Sequence, residues 1–445
     1  MRVSLRGRAI RGDFVHAPVR GEIEVLADHV ISIGADGVIV SVAPASQGVP
    51  DGTLQLPAGQ VVLPGFVDLH IHSPQYPQLG LALDEPLEVW LGKYTFPLEA
   101  KYADLDFARE AYGTLVSDLL AGGTTTALYF ATVHREATQL LAEICLEQGQ
   151  RGLVGKVVMD NHDTSPDYYR DETVEAALAD TRAVIDHIRA LPGNDRVLPV
   201  VTPRFIPSCT DEALAGLGAL AQECGCHVQT HCSESDWAHG YSLERYGHTD
   251  TAALDGFGLL TRKTVLAHSV FLTDADLEAV RGVGAGVAHC ALSNMYFANA
   301  VFPLRRALEK GVHVGLGTDI SGGPSGSMFE ACRTTVQASR LLETGVDPNV
   351  PRETRGQSGV TIDMKTAFHL ATAGGGEALD LPVGVFRPGY HFDAIAIDPN
   401  VADGTIRLFG AQATDRLEQI LYGASRANIV STFVGGDLVA QKPST

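Results

Sequence analysis

Between residues 61 and 319 the chain alternates eight times between short apolar, β-branched runs and longer stretches, and this alternation constrains the fold more than any other feature. The candidate strands are 61–70, 124–130, 153–159, 197–203, 227–231, 264–268, 285–289 and 312–319. Between them lie segments of helical length and pattern, such as 105–122, 135–149, 173–191 and 210–225. Eight strands with helical spacers over roughly 250 residues predict an α/β fold, a (β/α)8 TIM-like barrel. Both chain ends read differently. VISIGADGVIVSV (30–42) carries an Asp36–Gly37 turn between two alternating runs, a hairpin signal. Residues 384–400 and 429–439 are short β runs with Pro-Gly or Gly-Gly punctuation. The expected organisation is therefore a barrel over 62–383, with 1–61 and 384–445 pairing into one small β-sandwich domain.

In such a barrel the chemistry sits where strands end. The polar residues here fall at those ends: His70 and His72 after the first strand, Arg204 after the fourth, then His231, His268, His289 and finally Asp319. In PGFVDLHIH, the segment that also carries Asp68, positions i and i+2 of a strand point to one side, so His70 and His72 aim both imidazoles at one point. With His231 and Asp319 they make an N3O donor set of the kind zinc accepts, leaving one position for water. A metal there lowers the pKa of water to near neutrality. Asp319 has a second oxygen for the proton of that water. Glu234, in HCSE, is suited to carry a proton to a ring nitrogen and then to a leaving amine. His268 is placed to polarise the attacked centre or orient the water. Gln75 falls at the mouth of the same pocket. Each residue alone has an ordinary structural reading: a core imidazole, a surface carboxylate, a helix cap. Their joint placement at strand ends, in order, favours chemistry.

Other residues are expected to play supporting parts. His289, heading HCALSN, is expected to hydrogen-bond Ser293 and Asn294 rather than bind metal. His162 and His369 read as structural, as do Cys224 and Cys226. Lys156 lies on the third strand, but no lysine ends the fourth, which favours a mononuclear site over one bridged by a carboxylated lysine.

The 445 residues are 45% hydrophobic and carry a formal net charge of -20. Phosphate backbones repel such a chain, and it has no run of Lys or Arg, so nucleic acid is not an expected partner. No apolar run approaches the roughly 18 residues of a membrane span. The N-terminal MRVSLRGRAIRGDF lacks an apolar signal core, and seven scattered cysteines suit reduced thiols; both predict a cytoplasmic protein.

At these residues the sequence resembles the amidohydrolase superfamily, and within it the guanine deaminases. The superfamily marks are PGFVDLHIH, THCSE, LAHS, HCALSN and GLGTDISGG. The finer marks are HIHSPQY, WLGKYTFPLE, GTTTALYFATVH, GQRGLVGKVVMD and VTPRFIPSC, and the likeness runs from about residue 60 to the C-terminus. The resemblance implies that His70, His72, His231 and Asp319 hold one zinc ion, or ferrous iron, per chain. It implies that Glu234 shuttles protons, with Asp319 and His268 as further catalytic groups. It implies that Gln75, Arg204 and Phe205, with His72, His231, Glu234 and Asp319, contact a purine. The activity implied is hydrolysis of guanine to xanthine and ammonia by a cytosolic homodimer. Arg204 and Phe205 suit that role, since a guanidinium donates a forked pair of hydrogen bonds and an aromatic ring stacks. Two loops depart from the family pattern: Ser235 stands where the strand-5 motif usually has Asn, and Ala291 where the strand-7 motif usually has Pro, followed by MYFANAVF. Two other readings stay open, a deaminase of another amino-substituted heterocycle (oxidised guanine, pterin or triazine) and a catalytically inactive barrel acting as an assembly protein.

Overall fold

The computed structural model describes residues 4–298, 300–402, 404–409 and 412–442. Its centre is a parallel barrel of eight strands. In chain order these are β1 (Phe66–His72), β2 (Thr124–Phe130), β3 (Arg151–Gly155), β4 (Leu198–Pro203), β5 (His227–Cys232), β6 (Thr264–His268), β7 (Gly286–His289) and β8 (His313–Leu316). After Lys156, β3 resumes pairing with β4 through Val157–Val158. The intervening helices begin at side-chain caps. Asp104, Thr173 and Thr210 accept hydrogen bonds from the first free amides of Leu105–Ala121, Val174–Ala190 and Asp211–Cys224. Gly149 and Gly225 end two of the helices in the left-handed conformation that favours glycine.

Strand residues alternate between two packings, as period-2 geometry requires. Tyr129 and Val154 pack with Leu115, Leu141 and Ile188 of the surrounding helices, whereas Leu128, Leu153, Val200, Val265 and Ala288 gather in a separate cluster inside the barrel. Ala378 and Leu379 join that inner cluster. The Leu379 carbonyl bonds His227, the first residue of β5, so this apolar layer lies toward the N-terminal ends of the strands. The opposite ends are left for polar groups.

The barrel closes between β1 and the segment after β8 by main-chain bonds. Asp319 N–H donates to the His70 carbonyl at 2.9 Å, and His72 N–H donates to Ile320 at 2.7 Å. This seam sets Asp319 beside both histidines of β1. Asp68 clamps it from the side: its carboxylate accepts from Thr318 N at 3.0 Å, Thr318 Oγ1 at 2.5 Å and His70 N at 3.2 Å.

The two chain ends do pair, forming a single sheet of eight strands. Val61–Pro64 is its junction, parallel to Ala9–His16 on one side and antiparallel to Ala394–Ile397 on the other. The expected hairpin forms from Glu24–Ile33 and Ile39–Pro44 around Asp36–Gly37. One expectation needs correction. The run 61–70 is not one strand but two, split at Gly65 between this sheet and the barrel. A Cβ at Gly65 would lie 2.1 Å from Thr125 Oγ1, so only glycine lets the chain pass from one sheet to the other here.

Candidate active site

All of β1 is buried, and it delivers His70 and His72 with ring centroids 4.9 Å apart. His231 comes from the end of β5. A carbonyl only accepts, so the 2.5 Å contact from His231 Nδ1 to the Arg204 oxygen puts the ring hydrogen on Nδ1. That leaves the Nε2 lone pair facing His72 Nε2 at 2.9 Å. Asp319 Oδ1 lies 3.2 Å from His70 Nε2 and 3.8 Å from His72 Nε2. His268, the last residue of β6, is oriented by Asn294, whose Oδ1 meets Nδ1 at 2.9 Å. Its Nε2 lies 3.5 Å from Glu234 and 3.9 Å from Asp319.

The backbone at this rim is held in an uncommon conformation. Ser233, His268, Ser269 and Asp319 all have positive φ, between 48° and 67°. Such residues persist only where surrounding structure over-determines them, and they cluster at functional sites.

The donor set fits a cation. Both ring nitrogens of His70, Nδ1 of His72 and Nε2 of His268 are buried with no hydrogen-bond partner among the described residues. Burial, reinforced by the neighbouring imidazoles, holds His70, His72 and His231 well below the ordinary histidine range. They are neutral imidazoles, whose lone pairs are the form a metal ion accepts. Donor atoms of His70, His72 and Asp319 lie within 4.8 Å of one another, and so do those of His70, His231 and His268. Unpaired acceptors converging in a dry site are costly unless a positive ion sits among them.

Beside this cluster lies a cavity walled by His72, Gln75, Arg204, Phe205, Glu234 and Asp319. Burial, aided by the Asp319 carboxylate and opposed by Arg204, pushes Glu234 up to about 8. Burial thus favours the protonated form of this carboxyl. The Phe205 ring sits 6.1 Å from that of His231 and 5.7 Å from that of Trp237.

The model of the amidohydrolase family matches residues 61–439. Guanine deaminase of Dictyostelium discoideum is 35% identical, covering 97% of this chain and 98% of its own length. That of Homo sapiens is 38% identical over 96% of each. The crystal structure of guanine deaminase from C. acetobutylicum with bound guanine in its active site is 31% identical, with a TM-score of 0.87 over 97% of this chain and 99% of that one. The chain belongs to the amidohydrolase family, in its guanine deaminase group.

As an amidohydrolase the chain brings His70, His72, His231, Glu234, His268 and Asp319 together, and Gln75, Arg204 and Phe205 onto the wall of one cavity. His289 differs from expectation. It makes no bond to Ser293 or Asn294: its Nδ1 has no hydrogen-bond partner among the described residues and its ring packs at 5.5 Å on Phe302. Asn294 serves His268 instead, and Ser293 bonds back to the Cys290 carbonyl. Lys156 is tied to Asp171 at 2.6 Å, away from the cluster, and His369 bonds the Ala17 carbonyl. At the departure Ser235, the hydroxyl caps the helix Asp236–Tyr246, which carries Trp237. In the strand-7 loop Ala291 is buried at the start of a short helical turn, Phe297 reaches the cavity wall, and Asn299 lies outside the described residues.

Two buried carboxylates beside the site escape a reading of the motifs. Asp68 was visible in PGFVDLHIH but its clamp on Thr318 spans 250 residues. Glu99 sits in WLGKYTFPLE, fully buried, and grips Arg204 through both guanidinium ends, Nη1 to Oε2 at 2.6 Å and Nη2 to Oε1 at 3.1 Å. Its only signal was a lone acid in an aromatic stretch.

Proposed function

We propose that this amidohydrolase converts guanine and water to xanthine and ammonia. The observation that carries the reading is the juxtaposition of a buried His–Asp cluster, several of whose ring nitrogens have no hydrogen-bond partner among the described residues, with a cavity walled by Glu234 and the Arg204 guanidinium. Its 38% identity to human guanine deaminase supports it. His70, His72, His231 and Asp319 would hold one divalent ion, with zinc the best match to three imidazoles and a carboxylate. Such an ion supplies hydroxide at neutral pH. Asp319, through its second oxygen, accepts the proton of the attacking water, and His268, fixed by Asn294, orients that water. Glu234 delivers its proton to a ring nitrogen next to C2 and passes one water proton to the departing amine, which leaves as ammonia; the second water proton, released as C2 becomes a carbonyl, restores Glu234. Arg204 donates to O6, Gln75 reads an edge of mixed donor and acceptor character, and Phe205 packs on the ring.

The barrel from Phe66 to about residue 383 forms the catalytic unit, and the chain ends, with the strand Val61–Pro64, its β domain. The family likeness supports a cytosolic homodimer serving purine catabolism. No helix among the described residues is long and apolar enough to cross a membrane.

The test is ammonia release by the purified, zinc-loaded protein against a panel of purines, pterins and triazines. Guanine should lead. Adenine, which places an amine where guanine has O6 and lacks the C2 amine, should lag by roughly 10⁴-fold, the discrimination of a site built to hydrogen-bond a group. Equal turnover of adenine and guanine, or turnover only of a pterin or triazine, would refute the assignment.

A further inference from the structure

Glu99 ends the short helix Phe96–Glu99 and is wholly enclosed behind the cavity wall. Besides its two bonds to Arg204, its Oε1 accepts from Gln75 Nε2 at 2.8 Å. Phe96, from the same helix, lies 5.0 Å from the guanidinium carbon. One carboxylate thus holds both residues assigned to reading the purine.

Two physical consequences follow. A carboxylate only accepts, so Gln75 must turn its NH2 toward Glu99, and its Oε1 is then fixed toward Ser321 N, 3.2 Å away. The amide cannot flip, and the donor pattern it shows the cavity is set. Glu99 also cancels the charge of Arg204. In a low-dielectric cavity an unpaired guanidinium would attract an anion strongly. With the charge paired, the remaining N–H groups still donate to a neutral carbonyl but no longer favour an anion.

On the guanine reading above, we propose that Glu99 is the positioning residue that sets specificity, locking Gln75 and Arg204 in one donor pattern and making the cavity selective for a neutral oxopurine over an anionic one. Gln75 and Arg204 touch substrate, and Glu99 acts through them.

The experiment compares the zinc-loaded wild type with Glu99→Gln and Glu99→Asp. It measures guanine kinetics and, by calorimetry, binding of urate, an oxopurine that is an anion at neutral pH. Glu99→Gln keeps the shape but unmasks the Arg204 charge. Urate should bind it at least about tenfold more tightly than wild type, the worth of one charge-assisted contact. Guanine KM should rise by about the same factor while kcat stays within about threefold, because the reacting groups are untouched. Glu99→Asp keeps the charge but not the reach: KM should rise and urate should still be refused. Unchanged urate affinity or unchanged guanine KM in Glu99→Gln overturns the proposal, as does a Glu99→Asp enzyme that binds urate like Glu99→Gln. Should Glu99→Gln not fold, an unchanged KM in Glu99→Asp overturns it and a raised KM at constant kcat supports it. A wild type that turns over no guanine would sink the guanine reading alone, since urate binding still reports whether Glu99 excludes anions.

Discussion

Replacing Asp68 with alanine should open the seam on which the His–Asp cluster depends. Three donors, Thr318 N, Thr318 Oγ1 and His70 N, lose their acceptor at once in a site closed to water. Hydrogen bonds to a charged group contribute about 1.5–3 kcal/mol each, and the Thr318 hydroxyl is free to rotate toward another acceptor, so the two amides set the loss at about 3–6 kcal/mol. An offset works the other way. Burial pushes Asp68 up to about 7, so keeping it ionised already costs some of what its contacts contribute. The net should fall near the lower end, about 3 kcal/mol, a large share of the 5–15 kcal/mol that holds a typical domain together. The same loss frees Asp319 and His70 from their register, so the ion should go first. The assay is zinc content by elemental analysis together with thermal melting at pH 7.5. Asp68→Ala should hold well under one ion per chain and melt roughly 5 °C or more below wild type. Asp68→Asn keeps an acceptor for both amides and should lose much less. An alanine variant with full zinc and an unchanged melting temperature would refute the idea that this clamp sets the seam.

Other outcomes follow from the same geometry. Glu234→Gln should keep its metal and lose turnover by roughly 10²–10⁴-fold, since the amide is nearly isosteric but carries no transferable proton; loss of zinc instead would make Glu234 a ligand. His70→Ala should lose metal and activity together, checked by zinc content and ammonia release; full activity in metal-free protein would end the hydrolytic mechanism. In metal-stripped protein the elevated Glu234 pKa has a sign that can be worked out. The folded chain keeps this proton up to about 8 while the unfolded chain sheds it near the ordinary carboxyl value of 4.5. Between those limits the folded state binds more protons, so stability should fall as pH rises, and Glu234→Gln should flatten the fall. Denaturation midpoints of both proteins from pH 5 to 8.5 would show it, and parallel curves would contradict it.

The alternation of apolar runs and helix-length stretches was enough to specify a barrel, because strand and helix periods are local properties of the chain. Histidines two apart in β1 share a face for the same reason. The Asp36–Gly37 hairpin and the caps at Asp104, Thr173 and Thr210 were likewise local, each a side chain or turn acting within a few residues. Where local pattern misled, a contact distant in sequence intervened. The apolar run 61–70 looks like one strand because every residue is buried, but Thr125 and the strand Ala394–Ile397 divide it at Gly65. Asn294 was expected beside His289, its neighbour in the motif, and instead turned to His268 on the adjoining strand.

The sequence by itself therefore determined the barrel, the strand-end placement of its histidines and Asp319, and the donor chemistry of the cluster. Only the tertiary structure decided how those groups are held. Asp68 reaches Thr318 and Glu99 reaches Arg204 across 250 and 105 residues, and closure of the barrel brings Asp319 to His70. A strand period records which way a side chain points, but not which carboxylate, far along the chain, will be folded against it.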